Sequence, residues 1–459
     1  MKIIVIDDDP TGSQTVKDCL LLLKWDSETL MKGLRSESNL FFILANTRAL
    51  SQEHAKSRLN QICKTLISVI KNSFLKIEDF IFVSRGDSTL RGHNFLEPDV
   101  INELLGPFDA TFHIPAFIEA NRLTINGEHF VNKIPAHKTI FSEDAIFGYK
   151  TNNIKNLLYQ KSNSKINLDQ IQNLTILDLK QLKINKNNRT YQKIKNLKDN
   201  VHVIVDITNY SELNKFSELV RELQKEKQFL FRTSASFISS LCNSKKSNKL
   251  NSYYSTLRRK SNLNQFMNGL IVVGSIVDLT TKQLNNILNI HECKGIKLDV
   301  QNIYELFYLK NNQNQINFLK QTILKNVRDN LQKSYIPVIY TSRQLVSIKD
   351  KNQLVLFNNY LSSFIADLVL ELQEEIGYLI SKGGLTSNII LSKSFNVDCV
   401  YLEGQLSPGI SVVTLKLEKS QERLPIVTFP GNIGQDDTLK NVLEIIENKK
   451  FLNFKNLKL

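Results

Sequence analysis

The sequence is poor in the residues that build special architectures. Its 459 residues include 9 Pro and 17 Gly, too few for a collagen-like repeat or a Pro-rich linker. The cysteines are five, Cys19, Cys63, Cys242, Cys293 and Cys399, an odd number without metal-like spacing. They read as reduced, scattered thiols of a cytoplasmic protein, not as a disulfide framework. No apolar run approaches the roughly 18–20 residues that span a bilayer. The apolar start at residues 3–6 meets three aspartates at once, which does not fit a secretory leader. What is present is ordinary: 42% hydrophobic and 23% charged residues, a globular balance that excludes a largely disordered chain. The length predicts two or three domains.

Acidic residues are the scarcer sign, 45 against 59 Lys and Arg, for a formal net charge of +14. Such an excess invites a nucleic-acid reading. Its location argues otherwise. Residues 151–200 hold ten basic and three acidic side chains, and residues 241–262 hold six basic and none acidic. Both stretches are rich in Asn, Lys and Ser and lack the interleaved aromatics of a base-stacking platform. They read as solvated surface, and no nucleic-acid or membrane partner is expected.

Short apolar runs alternate with helix-period segments, the signature of an α/β architecture. Strands are expected at 3–6, 41–45, 80–83, 201–207 and 229–231, then at 270–273, 296–300, 336–341, 399–402 and 426–429. Leu59, Ile62, Cys63, Leu66, Ile67 and Ile70 make one apolar helix face, and Leu361, Phe364, Ile365 and Leu368 repeat that spacing. The basic, Asn/Ser-rich stretch separates the two series. The expected division is 1–240, a basic linker 241–268, and 269–459.

Three places carry chemistry. The first strand delivers Asp7-Asp8-Asp9-Pro10-Thr11-Gly12-Ser13, at the end where α/β sheets put their sites. Three adjacent carboxylates repel unless a cation or hydrogen-bond donors compensate, or one of them caps a helix. After the strand at 80–83 comes Ser84-Arg85-Gly86-Asp87-Ser88-Thr89-Leu90-Arg91-Gly92-His93, an acid, hydroxyls and two guanidiniums in one strand-to-helix turn. Arg can grip a carboxylate bidentately, which suits a sugar acid; Asp87 could accept a proton or pair with Arg85 or Arg91. Asn46-Thr47-Arg48 adds another Arg after a strand. In the second half, Gly274-Ser275, Ser381-Lys382-Gly383-Gly384-Leu385-Thr386-Ser387 and Pro430-Gly431-Asn432-Ile433-Gly434 are Gly-rich turns of the kind that lets phosphates approach backbone N–H groups. Thr280 and Gln283 fit a capping box opening a helix. No Walker A loop and no G-x-G-x-x-G fingerprint occur.

Asp8-Asp9-Pro10-Thr11-Gly12 resembles the D-D-x-T-G opening of the four-carbon acid sugar kinase family. Asp87 to Gly92 is similar to its D-S-T-x-R-G motif, and residues 46–50 to its T-N-S-R-A-L turn. Pro115-Ala116-Phe117 with Asn121-Arg122 resembles P-A-F…G-R-T, with Asn121 in place of the usual Gly. Residues 231–237 resemble Y-R-T-A-A-S-F, and the three Gly-rich turns follow in the family's order. Two departures remove acids: Leu385 stands where many members have Asp or Glu, and Asn388 where one branch has an acid.

The resemblance implies two α/β domains with an active-site cleft between them, closing to exclude water. The first would bind a small sugar acid such as threonate, erythronate or a 3-oxo-tetronate, and the second ATP, with Mg2+. The γ-phosphoryl group would pass to the terminal hydroxyl. In this reading Asp8 is the base and Asp87 its substitute. Asp9, Thr11, Arg48, Arg85, Ser88 and Arg91 hold substrate, while Ser275, Gly383, Gly384, Leu385, Thr386 and Gly431 surround the nucleotide. Metal ligands are not assigned beyond a place for Asp9 near Mg2+, and a homodimer is left open. The alternatives are a haloacid-dehalogenase-like phosphatase with Asp7 as nucleophile, Asp9 as acid, Ser84 and Lys382 on phosphate and Asp436-Asp437 on Mg2+, or a non-catalytic ligand-binding relative.

Overall fold

Continuous apolar runs bounded by turn residues form parallel strands buried on both faces, and this chain builds two sheets that way. The computed structural model describes residues 1–9, 15–242, 251–309, 312–344, 346, 348, 350–395, 397–407 and 409–451. They fall into two units, Met1–Lys246 and Ser247–Leu459.

The first unit contains β1 (Lys2–Asp7), β2 (Cys19–Leu22), β3 (Leu40–Leu44), β4 (Phe80–Arg85), β5 (Ala110–Ile114), β6 (Arg122–Ile125), β7 (Glu128–Val131), β8 (Ile134–Pro135), β9 (Ile171–Leu174), β10 (Val201–Val205) and β11 (Phe229–Thr233). Its main sheet runs β2-β3-β1-β4-β11-β5-β10-β9, every pair parallel. The helix Gln52–Asn72 buries Leu59, Ile62, Cys63, Leu66 and Ile70 as its spacing predicts, with Val69 in place of Ile67. Phe112, Phe216, Phe229, Phe231 and Phe237 stack into one aromatic core. A small antiparallel sheet, β6-β7-β8, stands apart.

The second unit contains β12 (Leu270–Val273), β13 (Cys293–Leu298), β14 (Ile336–Thr341), β15 (Leu379–Lys382), β16 (Cys399–Ser407), β17 (Ile410–Lys416) and β18 (Arg423–Phe429). Its order is β13-β14-β12-β15-β18-β17-β16, parallel except for β17, which is antiparallel to both neighbours. In each unit the chain goes first to the outermost strand on one side of its first central strand, fills the gap between them, and then crosses to the other side. β1 lies between β3 and β4, and β12 between β14 and β15. Loops diverge at such a reversal and leave a crevice beyond the carboxyl ends.

Residues 87–95 form the turns between β4 and the next helix, which begins at Leu96. Two local readings need correction. Thr280 and Gln283 do not form a capping box: the helix Asp278–Leu288 has Val277 at its N-cap, and the Thr280 hydroxyl instead donates to Gly431 O at 2.8 Å. The stretch after residue 250 is not solvated linker. Tyr254 joins the second unit's core, and Arg258 is buried against Glu447 at 2.9 Å. Arg259 is buried too, donating to Gln373 O and Ile376 O and pairing with Glu422. Residues 243–250 lie outside the described residues. No described helix is long and apolar enough to cross a membrane.

The Arg258–Glu447 pair offers a test. Glu447 also accepts from the Tyr378 hydroxyl at 2.7 Å, so Glu447→Gln leaves a guanidinium buried without its counter-charge. The expected loss is about 3 kcal/mol in urea unfolding. Arg328→Ala, which breaks the exposed Arg328–Glu375 pair, should cost less than about 1 kcal/mol.

Candidate active site

At the carboxyl end of β1, Asp7 and Asp8 are fully buried and Asp9 is half-buried. Carboxylates in such a place require partners, and the adjoining strands supply them. Arg85, the last residue of β4, sets Nη1 3.2 Å from Asp8 Oδ1 and 3.5 Å from Asp7 Oδ1. Arg232, on β11, places Nη2 3.9 Å from Asp8 Oδ2 and donates from Nη1 to Glu97 Oε2 at 2.6 Å and Ser84 Oγ at 2.8 Å. Glu97 also accepts from the Thr47 hydroxyl at 2.8 Å. Arg48, in the turn after β3, pairs with Asp9 and sets Nη1 3.5 Å from Asp87 Oδ1. Arg91 Nε donates to Asp87 Oδ2 at 2.7 Å, and the Thr89 hydroxyl donates to the same oxygen.

The two candidate bases differ sharply. Burial alone would push the Asp87 carboxyl up, but Arg48, Arg91, Arg122 and the Thr89 hydroxyl outweigh it and hold it well below the usual range. Asp87 is therefore a clamp for guanidiniums and a weak proton acceptor. Asp8 keeps Oδ2 without a hydrogen bond among the described residues. Above that oxygen stands Gly92, φ +95°, where a Cβ would come within 3.2 Å.

Of the residues expected to hold substrate, Arg85 instead braces Asp7 and Asp8 from a buried position, and Arg48 and Arg91 each face carboxylates. The Ser88 hydroxyl accepts from Arg122 Nη1 at 2.5 Å. Thr11 lies outside the described residues, as do Pro10, Gly12 and Ser13. Glu97, Arg122 and Arg232 join the cluster without having been assigned to it. Both arginines sit in quoted motifs, whereas nothing local distinguishes Glu97 from any helical acid.

The second unit gathers a different chemistry at its own strand reversal. A cavity of about 370 Å3 is lined by Ser275, Gly383, Gly384, Leu385 and Thr386, all five predicted from the sequence. Val300, Phe357 and Leu361 form an apolar wall that no motif signalled. Gly383 adopts φ +133°, and a Cβ on Gly384 would meet nothing within 4 Å, so this backbone faces open space. Gly431 does not line the cavity but backs it: its Cβ would stand 2.4 Å from Ser275 Oγ. Such a glycine-bordered cradle with an apolar wall fits a nucleotide. The polar side chains lining it are hydroxyls and amides, so among the described residues Mg2+ finds no carboxylate in this lining. No group of three or more metal-ligating side chains occurs among the described residues.

Two side chains that the phosphatase alternative places on phosphate are committed elsewhere. Ser84 is buried and engaged with Glu97 and Arg232. Lys382 is buried too, donating to Pro430 O at 2.7 Å and Gly431 O at 3.3 Å.

Burial pushes the Asp7 carboxyl up to about 8; the Arg85 charge opposes this and the Asp8 charge adds to it. The folded chain thus holds a proton there that the unfolded chain releases near its ordinary value. Stability from this group is fully present below about pH 4 and declines as pH rises towards 8. Asp7→Asn, which cannot ionise, should show a smaller decline. Urea unfolding of both proteins at intervals from pH 5 to 8 checks this; parallel profiles would place the titration elsewhere.

Comparison with known proteins bears on both sites. A family profile described as a sugar-binding N-terminal domain matches residues 3–241, and one described as a nucleotide-binding C-terminal domain matches residues 270–439. A D-erythronate kinase of Heliobacterium modesticaldum is 26% identical over 150 residues, which are 31% of this chain and 32% of that protein. The match thus spans about a third of that relative's length. A Haemophilus influenzae protein from a family of unknown function superposes with a TM-score of 0.63 at 17% identity, over 96% of this chain and 100% of its own. A Salmonella typhimurium LT2 protein, provisionally described as a tRNA synthase, gives 0.67 at 14% identity, over 96% and 98%. At such identities these two likenesses show the fold alone. With the sugar-binding profile covering over half of the sequence and its nucleotide-binding companion following in order, the chain belongs to the four-carbon acid sugar kinase family.

Proposed function

We propose that this protein is an ATP-dependent kinase that phosphorylates the terminal hydroxyl of a four-carbon sugar acid of the erythronate or threonate type. The observation that carries the reading is the joint presence, each at a strand reversal, of an acid–guanidinium cluster in the sugar-binding unit and a glycine-bordered cavity in the nucleotide-binding unit. The D-erythronate kinase likeness supports the substrate class.

Phosphoryl transfer asks a protein chiefly to align the reactants and offset charge. ATP, when bound, supplies the γ-phosphoryl group; its phosphates would lie against the backbone of Ser275, Gly383 and Gly384 and its base against Val300, Phe357 and Leu361. In the sugar-binding unit, Asp8 takes the proton of the attacking hydroxyl through Oδ2, the oxygen that the described residues leave without a hydrogen bond. Asp87 keeps Arg48 and Arg91 in place, so their charge stands ready beside the reacting oxygen. Asp9, tied to Arg48, contributes to the substrate's hydroxyl contacts. Arg85 acts one step back, holding the orientation of Asp8.

The direct test is ADP release with ATP, Mg2+ and a panel of four-carbon sugar acids that includes D-erythronate. Acid-dependent ADP formation with a phosphorylated product is expected; ATP loss that ignores the acid and leaves none would overturn the reading. Asp8→Asn should lower kcat by roughly a hundredfold or more with KM little changed. Asp87→Asn, by freeing Arg48 and Arg91, should act mainly on KM for the acid. Equal effects of the two on kcat and KM would remove the distinction drawn between them.

The glycines predict a second contrast. A Gly384→Ala side chain enters open cavity, so the protein should keep its melting temperature and lose affinity for ATP and ADP. Gly431→Ala meets Ser275 Oγ and should lower the melting temperature first. Calorimetry on the two variants tells ligand space from packing space.

A further inference from the structure

Five guanidiniums crowd the sugar-binding unit's site, and they are not equivalent. Arg48, Arg85, Arg91 and Arg232 each have at least one carboxylate oxygen within 4.0 Å. Arg122 does not have one among the described residues. Its Nη1 donates to the Ser88 hydroxyl at 2.5 Å, and its Nε is buried without a hydrogen bond among the described residues. A largely desolvated guanidinium with only a neutral partner is costly to the fold. Burial lowers its pKa, the charges of Arg91 and Arg85 push the same way, and Asp87 offsets them only in part. The position favours an added anion.

Its surroundings also hold it still. The guanidinium lies 5.6 Å from the Phe141 ring centroid and 5.9 Å from that of Phe117. Arg122 opens β6, paired with Val131 on β7, directly after Asn121 at φ +51°, a left-handed turn that Asn tolerates better than most residues. Ser88, which it touches, is itself fixed: its carbonyl lies 2.7 Å from the buried His129 Nε2. A planar donor fixed by aromatic rings and set beside a hydroxyl is suited to a carboxylate.

We propose that Arg122, with the Ser88 hydroxyl beside it, reads the carboxylate of the bound sugar acid and so sets the preference for an acid over an uncharged analogue. The inference rests on the sugar-acid kinase reading and assigns within it a task that the sequence had given to Arg48, Arg85 and Arg91. Those three face internal carboxylates, so an incoming acid would compete with Asp7, Asp8, Asp9 or Asp87 for them. At Arg122 the nearest such competitor is Asp87, which acts on it only from beyond 4.0 Å.

The test is calorimetric binding of D-erythronate and its uncharged amide to the full chain and to Arg122→Met and Arg122→Lys. The unaltered protein should prefer the acid. Arg122→Met should lose roughly ten- to hundredfold in acid affinity, as expected for one charged hydrogen-bonded contact, while amide affinity stays nearly constant. A purely structural role for Arg122 would weaken both ligands alike, and that result, or an undiminished acid preference, overturns the inference. Should Arg122→Met fail to fold by circular dichroism, Arg122→Lys decides. It keeps the charge but not the planar fork, so its acid preference should fall several-fold, and an unchanged preference counts against the proposal. If the unaltered protein binds ATP but no acid of the four-carbon panel, the substrate reading falls and this inference with it. If it binds the acid and Arg122→Met retains full preference, only the inference falls.

Discussion

Two aspartates buried at the end of a central parallel strand are the constraint around which the sugar-binding unit is organised. A carboxylate there has lost its water and must be answered by fixed charge or remain protonated. Asp8 is answered by Arg85 on the adjacent strand and, at greater distance, by Arg232 one strand further on. Arg232 in turn needs Glu97, and Glu97 is held by Thr47. Even a glycine follows from this chain of demands: a Cβ at Gly86 would lie 2.4 Å from the Arg232 guanidinium. Asp7, next to Asp8 and only partly answered by Arg85, is left to hold its proton.

The nucleotide-binding unit meets a different demand. Its site is built by close approach of neutral groups, with side chains removed where strand ends converge. Gly274 has no Cβ because Thr386 Oγ1 would stand 2.0 Å from it, and Gly431 none because of Ser275. The buried Lys382 donates to the carbonyls of Pro430 and Gly431 and lies 3.7 Å from the Phe429 ring centroid, and burial pulls its pKa down to about 7. It ties two strand ends together. One unit thus presents paired charge and the other backbone and shape, alongside their matches to a sugar-binding and a nucleotide-binding domain respectively.

Much of the fold was legible because parallel strands buried on both faces leave continuous apolar runs. β1, β4, β12 and β14 announce themselves that way. β5 and β15 do not: Thr111 and His113 interrupt the first, and the second ends in Ser381 and Lys382, which read as part of a turn. Each is central in its sheet and pairs on both sides, which is what makes a short or polar-broken run a stable strand. Arg258 and Arg259 misled in the opposite direction. A run of basic residues looks solvated until partners distant in sequence, Glu447 and Glu422, are brought to it.

By itself, the sequence determined which turns carry chemistry, because acids, arginines and glycines at strand ends are visible one residue at a time. It also determined the two-part organisation and, through the order of its motifs, the family. Only the tertiary structure decided which of those residues are committed to one another. Asp8 and Asp87 look alike in sequence, yet Arg48 and Arg91 engage the two oxygens of Asp87 while Asp8 retains a carboxylate oxygen without a hydrogen bond among the described residues. Arg85 and Arg122 look alike too, yet Arg85 has two aspartates within 4.0 Å and Arg122 has none that near among the described residues. The reason is electrostatic and geometric: a charged group's role depends on the charges within a few ångströms of it, and those come from strands far apart along the chain.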